Sequence, residues 1–260
     1  MNESIIKINK LGLTVNGKSI LREVNLRITT GDYVAILGPN GAGKTSLLKC
    51  LIRYHHKFSG MIEIFGHSIY SLSQRSIASM ISYVPQLNGT TFPFTVEEFV
   101  LMGRYPYFSP FATIHQLDRQ AVDEAMQHAG VIQFAGRSMM TLSGGERQLV
   151  LIAAALAQGA KVLLLDEPTT YLDPMHKSRL YALLQRLNTT LRMTIVLVTH
   201  DINQAALHAN RMVAMKNGTI AFDGAAAEIM RKDALETIFE HEFTFIKHPE
   251  NEYSIILPES

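Results

Sequence analysis

Apolar residues near the N-terminus recur with the period of β-strands. They alternate with other residues from Leu11 to Val15, and again over residues 20–28 after an Asn-Gly pair at 16–17. An Asn-Gly pair between two alternating runs is a strong hairpin signal. Residues 33–37 then form an unbroken apolar run, which is typical of a strand buried on both faces. This segment therefore predicts an antiparallel hairpin followed by a central strand.

Helical and strand patterns alternate along the rest of the chain. A capping box at 95–98 precedes an apolar helical pattern, and Asp118 is expected to cap a second helix that Gly130 ends. Ser143 is expected to cap a third helix that runs to Gly159. Further helices are predicted at 43–53, 177–190, 201–210 and 234–240, and further strands at 61–65, 81–84, 162–165, 194–198, in a hairpin around 217–218 and on either side of Pro249.

The order of these elements predicts an α/β fold. Strands that alternate with helices favour a mainly parallel, helix-covered sheet, and the first hairpin predicts an N-terminal antiparallel β subdomain. Residues from about 87 to 160 carry only helical patterns and are interpreted as an inserted α-helical subdomain. Residues 1–86 and 161–260 would form the α/β core with the β subdomain, so that 1–260 is a single domain.

Composition limits the classes of protein that fit this pattern. The 260 residues carry 24 Lys+Arg against 23 Asp+Glu, and the scattered, balanced charge argues against nucleic acid as a partner. One cysteine excludes an intramolecular disulfide framework and fits a reducing compartment. The longest apolar run, 149–157, is far too short to cross a membrane, and the N-terminus does not read as a signal peptide, so a soluble cytoplasmic protein is expected. A mean hydropathy of +0.09 suggests that part of the surface is covered by something else.

A glycine-rich loop between the central strand and the first helix predicts a phosphate site. Residues 38–45 match G-x-x-x-x-G-K-[ST], the pattern in which backbone N–H groups curl around phosphate oxygens. Lys44 brings a positive charge, and the Thr45 hydroxyl suits Mg²⁺. The alternative, a glycine turn with a solvated lysine, leaves the strand-loop-helix context unexplained. The expected nucleotide-binding residues of this loop are Gly38, Pro39, Asn40, Gly41, Ala42, Gly43, Lys44, Thr45 and Ser46.

Two carboxylates follow a buried strand. Asp166 and Glu167 come directly after Leu165, at the strand end where open α/β sheets bind ligands. Asp166 suits the Mg²⁺ shell, and Glu167 suits the polarisation of an attacking water. A strand that simply leaves the core for a polar loop would fit equally well by itself, but the phosphate loop favours the chemical interpretation.

A second glycine motif opens the helix that Ser143 caps. A capping box explains Ser143 and Glu146, whose spacing it requires. It does not explain Gly144 and Gly145 in the first turn, where glycine costs helix stability. The two glycines therefore suggest a close approach of the backbone to another group, such as a phosphate at the helix N-terminus.

The ordered set of motifs resembles the ATP-binding subunit of ABC transporters. The set, which covers nearly the whole chain, comprises GPNGAGKT at 38–45, Gln86, LSGGERQ at 142–148, LLLDEP at 163–168, Leu172-Asp173 and His200. The resemblance implies a P-loop NTPase core that binds ATP and Mg²⁺. It also implies a homodimer on ATP binding, in which ATP lies between one subunit's phosphate loop and the other's LSGGE motif.

Residue roles follow from the resemblance at the matching positions. Glu167 is expected to be the general base, while His200 steadies the γ-phosphate and the water; taken alone, a histidine after a strand is more often simply solvated. Gln86 is expected to sense the γ-phosphate and the membrane subunits, and Asp173 to couple the two sites of the dimer. The resemblance therefore gives catalytic roles to Glu167, His200, Gln86 and Lys44, and Mg²⁺ binding to Thr45, Gln86 and Asp166. It gives contacts with the γ-phosphate of the partner's ATP to Ser143 and Gly145, and places Gly144 and Asp173 among the nucleotide-binding residues as well.

One position departs from the family pattern. The family usually stacks adenine on an aromatic residue just before the first hairpin turn, but residues 14–17 read Thr-Val-Asn-Gly. Val15 offers only apolar contact there, so no adenine residue is assigned.

A narrower resemblance points to importers of iron–siderophore, haem or vitamin B12. It is carried by residues 92–97 and 102–106 and by Ile246-Lys-His-Pro249 in the tail. In that group the helical block faces membrane permease subunits, and a periplasmic or lipid-anchored protein binds the cargo. The protein would then lie at the cytoplasmic face of the inner membrane through those subunits. The competing interpretation of Phe92, Phe94, Tyr105 and Tyr107 is local core, and the sequence leaves both open.

Two other functions fit fewer motifs. A soluble ABC-type ATPase acting on nucleic acid or ribosomes usually has two cassettes or a long coiled-coil insertion, and this chain shows one cassette and a balanced charge. A nucleotide kinase would share only the phosphate loop and would leave 143–145 and His200 without a role.

Overall fold

The structure, a computed structural model, describes residues 3–87, 89, 92–108, 114–247 and 254–258. Its contacts divide the chain into two compact units, one of Met1–Ile69 with Thr194–Ser260 and one of Tyr70–Met193. Among the described residues, no helix is both long and apolar enough to span a membrane. The predicted subdomain boundaries at about 87 and 160 stay a prediction.

The first unit contains an antiparallel sheet with the strand order β2-β1-β4-β5. The predicted hairpin is confirmed, because Asn16 and Gly17 both have positive φ, as the tight turn between two twisted strands requires. The strands are β1 (Ser4–Val15), β2 (Lys18–Thr29), β4 (Ser59–Ile64) and β5 (His67–Ser68).

A second sheet in the same unit has the strand order β10-β9-β3-β8. Strand β3 (Tyr33–Leu37) pairs in parallel with β8 (Thr194–Val198) on one side and with β9 (Arg211–Lys216) on the other. Every residue of β3 and β8 is buried, as the unbroken apolar run at 33–37 predicted. The remaining strand, β10 (Thr219–Gly224), pairs antiparallel with β9.

Helices and a terminal hairpin complete this unit. Helix α1 (Lys44–Leu51) follows the glycine-rich loop, and α7 (Ile202–His208) follows β8. Two short helices, α8 (Ala226–Ile229) and α9 (Lys232–Phe239), precede an antiparallel pair of β11 (Phe243–Lys247) and β12 (Ser254–Pro258). His248 and Pro249 of the predicted tail motif lie outside the described residues.

The second unit is mostly helical around one parallel strand pair. Strands β6 (Ile81–Val84) and β7 (Val162–Asp166) pair in register from Ile81 with Val162 to Val84 with Leu165. Three short 3-10 turns lie at Tyr105–Tyr107, Ile132–Phe134 and Met139–Thr141. The helices are α2 (Gln74–Met80), α3 (Val96–Met102), α4 (Gln116–Ala129), α5 (Gly144–Ala157) and α6 (Pro174–Leu191).

The helix boundaries correct two predictions. Asp118 does not cap α4; His115 is the N-cap, and the Asp118 carboxylate accepts a hydrogen bond from the His115 N–H at 3.1 Å. Helix α6 begins at Pro174 rather than at 177, because Asp173 caps it and proline is well suited to the first helical position. The capping boxes predicted at Thr95 and Ser143 are both present.

Candidate active-site residues

The phosphate loop depends on glycine at both of its ends. Gly38 has φ 138°, and a Cβ there would lie 2.1 Å from the backbone oxygen of Met215. Gly43 has φ 98°, and a Cβ there would lie 2.7 Å from the side chain of Leu21. Only glycine fits both the backbone conformation and the space at these positions.

The helix that follows the loop begins without a side-chain cap. Its N-cap residue is Gly43, and no acidic residue lies in the first turn of α1. Helices α3, α5, α6 and α7, by contrast, each have an N-cap side chain that accepts a hydrogen bond from the first turn. The start of α1 is therefore suited to receive an anion on its N–H groups and dipole.

Lys44 lies folded along the loop. Its side chain is buried, and its ammonium donates hydrogen bonds to the backbone oxygens of Gly38 at 2.7 Å and Pro39 at 3.0 Å. The ammonium is thus held among the same residues whose backbone forms the cradle. Thr45 is the second residue of α1, as the phosphate-loop pattern requires of the Mg²⁺-binding hydroxyl.

His200 lies just beyond the end of β8. The residue is exposed, and it stands between the buried Thr199 and Asp201, the N-cap of α7. The Thr199 hydroxyl accepts a hydrogen bond from the Asp201 N–H at 3.1 Å, which orders this turn. His200 therefore sits at the carboxyl end of a parallel strand, where open α/β sheets bind ligands.

Asp166 is the last residue of β7 and is almost fully buried. The Tyr83 hydroxyl donates a hydrogen bond to its Oδ2 at 3.0 Å. Burial, and then the charge of Asp166, raise the pKa of Tyr83, so this hydroxyl remains a donor to the carboxylate. Tyr83 thereby orients Asp166, and the sequence analysis did not assign it a role.

Glu167 has a backbone conformation that side chains rarely adopt. Its φ is 49°, which costs on the order of 1–2 kcal/mol for a residue with a Cβ. Gln86 Nε2 donates a hydrogen bond to Glu167 Oε2 at 3.2 Å, and the Thr170 hydroxyl lies 3.4 Å from the same oxygen. Backbone strain of this kind concentrates at functional sites. Here the strained residue is Glu167, whose carboxylate is held in place by Gln86 and Thr170.

The structure therefore brings Gln86 and Glu167 together, although they are 81 residues apart in the chain. The sequence had assigned each a role separately, Glu167 from its place after a buried strand and by resemblance, and Gln86 by resemblance alone. Thr170 was missed, and its only signal was its position three residues after Glu167.

The LSGGE turn is ordered by the predicted capping box. Ser143 Oγ accepts from the Glu146 N–H at 3.3 Å, and Glu146 Oε2 accepts from the Ser143 N–H at 2.8 Å. The Ser143 backbone N–H is the main cause that lowers the pKa of Glu146 below its usual range. Ser143 and Gly144 are both exposed, and a Cβ on Gly144 would meet no atom within 4 Å.

Gly145 has a different reason to be glycine. A Cβ there would lie 2.0 Å from Cδ2 of His176, so the ring of this histidine occupies the space. The sequence suggested that another group approaches the backbone of the two glycines closely. At Gly145 that group is the side chain of His176, in the same unit. Gly144 remains open to another group.

Asp173 is joined to the same histidine. One carboxylate oxygen accepts from the His176 backbone N–H at 2.9 Å, and the other accepts from His176 Nδ1 at 2.7 Å. These two bonds, the backbone one first, lower the pKa of Asp173. His176 was missed by sequence reasoning, because a histidine in the first turn of a helix carries no distinctive signal.

The aromatic residues of the narrower resemblance are exposed rather than core. Tyr105 is 66% exposed, Tyr107 48% and Phe94 37%, and Met102 beside them is 45% exposed. Phe92 is half-buried and packs on the ring of Phe99, at a centroid distance of 4.8 Å. The local-core interpretation is therefore wrong for the two tyrosines, and an apolar surface is available there. Val15, the residue at the usual adenine position, is half-buried at the end of β1.

Comparison with known proteins gives the class of this protein. The sequence profile of the ABC transporter family matches residues 21–170, more than half of the chain. The chain therefore belongs to the ABC transporter family, and it is an ATP-binding, ATP-hydrolysing cassette with the P-loop α/β fold that the motifs predicted.

Individual relatives are similar over almost their whole length. The chain is 36% identical to the iron(3+)-hydroxamate import ATP-binding protein FhuC of Bacillus subtilis, covering 97% of this chain and 94% of that protein. It is 36% identical to the ferric enterobactin transport ATP-binding protein FepC of Escherichia coli, covering 99% and 96%. Among solved structures, a metal-chelate type ABC transporter in an inward-facing conformation matches with a TM-score of 0.86 and 29% identity over 99% of this chain and 98% of that one. These names favour a transport subunit over an ATPase that acts on nucleic acid.

Proposed function

We propose that this protein is the ATP-hydrolysing subunit of an importer for an iron–siderophore, haem or cobalamin-type metal complex. The observation that carries the ATPase part is the Glu167 carboxylate, held by Gln86 and Thr170 at the end of a buried strand. The cargo class is supported by the names of FhuC and FepC and by the exposed aromatic surface around Tyr105.

In the proposed mechanism the phosphate loop binds the nucleotide. The backbone N–H groups of residues 40–45 and the start of α1 receive the phosphates, and the Lys44 ammonium neutralises their charge. Glu167 takes a proton from the attacking water, Gln86 orients Glu167, and His200 steadies the γ-phosphate. Ser143, Gly144, Gly145 and Asp173 face the ATP of a second copy of the chain. This role would account for the exposure of Ser143 and Gly144 and for the open space beside Gly144.

The residues also fit a magnesium ion. Thr45, Gln86 and Asp166 offer hydroxyl, amide and carboxylate oxygens, the ligand types that Mg²⁺ prefers alongside water and phosphate. Mg²⁺ would supply charge neutralisation on the phosphate oxygens. Among the described residues no group of three or more His, Cys, Asp or Glu side chains could hold a metal by itself.

The proposal places the protein with membrane partners. Two copies would close on ATP and pull on integral membrane permease subunits at the cytoplasmic face of the inner membrane. A periplasmic or lipid-anchored protein would deliver the cargo. Uptake of a labelled ferric siderophore, haem and cobalamin by cells with and without this gene measures the cargo class, and unchanged uptake of all three would contradict it.

The ATPase assignment is tested with Glu167→Gln. Because a positioned base contributes about 10²–10⁴-fold, this variant should lose at least 100-fold in kcat while it still binds ATP and accumulates as a dimer. Lys44→Ala should instead lose ATP affinity in equilibrium binding. Glu124→Gln, at an exposed position on α4, is the matched control and should behave as the unsubstituted protein. Near-normal turnover of Glu167→Gln would show that another group is the base.

A further inference from the structure

His176 contacts both segments that the proposed function directs toward the partner subunit, Asp173 and the turn at Gly145. Its Nδ1 lies 2.7 Å from Asp173 Oδ2, and its backbone N–H donates to Asp173 Oδ1 at 2.9 Å. Its ring fills the space next to Gly145, where a Cβ would lie 2.0 Å from Cδ2 and 2.7 Å from Nε2. All three residues belong to the same unit.

The chemistry of the contact fixes the orientation of the ring. A carboxylate can only accept, so Nδ1 carries the proton toward Asp173. The opposite edge of the ring, Cδ2 and Nε2, then faces the first turn of α5 at Gly145. The His176 side chain is only 16% exposed, whereas that of Asp173 is 56% exposed. The more buried histidine therefore keeps the more exposed carboxylate in place.

The segment that the His176 ring contacts at Gly145 is the capping box of α5. Gly145 lies between Ser143 and Glu146, whose reciprocal hydrogen bonds order the turn. The positive charge of Arg137 adds to those bonds in lowering the pKa of Glu146. Asp173, the His176 ring and the Ser143–Glu146 turn thus form a continuous series of contacts across the N-termini of α5 and α6.

We propose that His176 is a positioning residue that couples Asp173 to the Ser143–Gly145 turn, so that both segments move as one body against the partner's nucleotide. The inference rests on the proposed function, which gives these two segments their roles at the dimer. It explains two features together: a second glycine in the helix start, and a carboxylate whose two oxygens are both bound by one residue. The coupling requires the Nδ1–H donor to bind Asp173 and the bulk of the ring to contact Gly145. Substitutions can therefore remove one of these contacts without the other.

The test uses two complementary variants of the full chain. His176→Phe keeps a ring against Gly145 and removes the donor to Asp173, whereas His176→Asn keeps a donor near the Nδ1 position and removes the far edge of the ring. His128→Phe, at an exposed position on α4, is the matched control. For each variant, kcat and KM for ATP, equilibrium ATP binding and the melting temperature are measured.

We expect His176→Phe to lower kcat at least tenfold, with KM, ATP affinity and melting temperature unchanged. His176→Asn should also lower kcat, by at least threefold, because it keeps a donor to Asp173 but loses the ring that contacts Gly145, and the coupling needs both. The inference is overturned if His176→Phe keeps kcat within twofold of wild type, or if both variants lose activity together with ATP affinity and melting temperature, which would indicate a purely structural role. Failure of the proposed function itself would look different, since the unsubstituted chain would then show no ATP hydrolysis sensitive to Glu167→Gln.

Discussion

Different positions of the phosphate loop require glycine for different structural reasons. Gly38 needs a φ of 138° and has the Met215 backbone oxygen where a Cβ would be. Gly41 also has a positive φ, 80°, but a Cβ there would meet no atom within 4 Å. Glycine is therefore a steric requirement at Gly38 and only a conformational preference at Gly41.

This difference predicts unequal costs of alanine substitution. Gly38→Ala combines a conformation almost restricted to glycine with a clash against immovable backbone, so we expect a loss of more than about 3 kcal/mol in unfolding free energy. Gly41→Ala meets only the left-handed penalty and should lose about 1–2 kcal/mol. Urea unfolding of the nucleotide-free variants measures both values. Equal losses would contradict the assignment of the Gly38 effect to Met215.

The single cysteine is predicted to be unreactive in the folded chain. Cys50 is fully buried in α1, and burial raises the pKa of its thiol to about 12. At about pH 8 only about one molecule in ten thousand would carry the reactive thiolate. A thiol reagent such as dithionitrobenzoate should label the unfolded chain at once and the native chain only as it unfolds. Rapid labelling of native protein would contradict this burial.

The same raised pKa has a consequence for stability. The unfolded thiol loses its proton near its ordinary pKa of 9.0, before the folded one does. Its contribution to stability is therefore complete below about pH 9 and is lost as the pH rises from there toward about 12. Cys50→Ala should remove this part of the alkaline slope of the unfolding free energy.

The sequence predicted site residues well where a local pattern determines them and poorly where a distant contact does. Residues 38–45 carry their own signal, since the loop geometry needs glycine and the phosphates need a lysine at fixed spacing. Tyr83 and His176 act through contacts with Asp166 and with Asp173 and Gly145, and strand register and helix packing create those contacts. No spacing rule in the sequence contains them.

At the scale of elements, the strands were more predictable than the helix starts. Strand β3 and strand β8 have the predicted bounds, because a short apolar run is typical of a strand that is buried on both faces. The start of α4 was misplaced, because Asp118 can serve either as an N-cap or as the third residue of a capping box. The structure shows it in the second role and also bonded to Arg104.

This ion pair ties several elements of the second unit together. Arg104 Nε donates to Asp118 Oδ1 at 3.0 Å, and its Nη1 donates to the backbone oxygen of Ala157 at the end of α5, at 2.8 Å. The guanidinium also lies 4.0 Å from the centroid of the Tyr107 ring. Burial alone would raise the pKa of Asp118, but the hydrogen bonds from Arg104 and the His115 backbone, with the Arg104 charge, lower it.

We predict that Arg104→Met destabilises the protein strongly. It leaves Asp118 without its charge partner and removes the bond to Ala157, so the unfolding free energy should fall by about 3 kcal/mol. Arg119→Met, on α4 next to Asp118, is the matched control, because its ion pair with Glu97 at 3.8 Å is exposed and should contribute at most about 1 kcal/mol. Similar losses in the two variants would contradict the role of the Arg104 pair.

The lowered pKa adds a pH dependence to this comparison. A carboxyl whose pKa falls on folding stabilises the native state above its ordinary value of 3.8, and that stabilisation is lost as the pH falls through the lower folded value. The difference between wild type and Arg104→Met should therefore shrink in acid. Arg119→Met should show no such change.

At the scale of the whole molecule, the composition and the exposed surface agree. Lys+Arg exceed Asp+Glu by one, so charge does not direct this protein to a polyanion. The chain is nevertheless slightly apolar on average, and large apolar side chains around residues 94–107 are exposed. An ATPase that drives transport through separate membrane subunits needs such a surface, because the membrane subunits must bind outside the nucleotide site.

The last prediction concerns this surface directly. Tyr105→Ser with Met102→Ser removes two large side chains, 66% and 45% exposed, without opening a core cavity. Because exposed apolar patches mark protein–protein contacts, we expect the double variant to lose association with its permease subunits in membrane fractions. Its melting temperature and its ATP affinity should remain those of the wild type. Leu117→Ser, which removes a 74% exposed leucine on α4 outside the patch, is the control and should remain membrane-associated. Equal retention of both variants on membranes would mean that the permease binds another part of the chain.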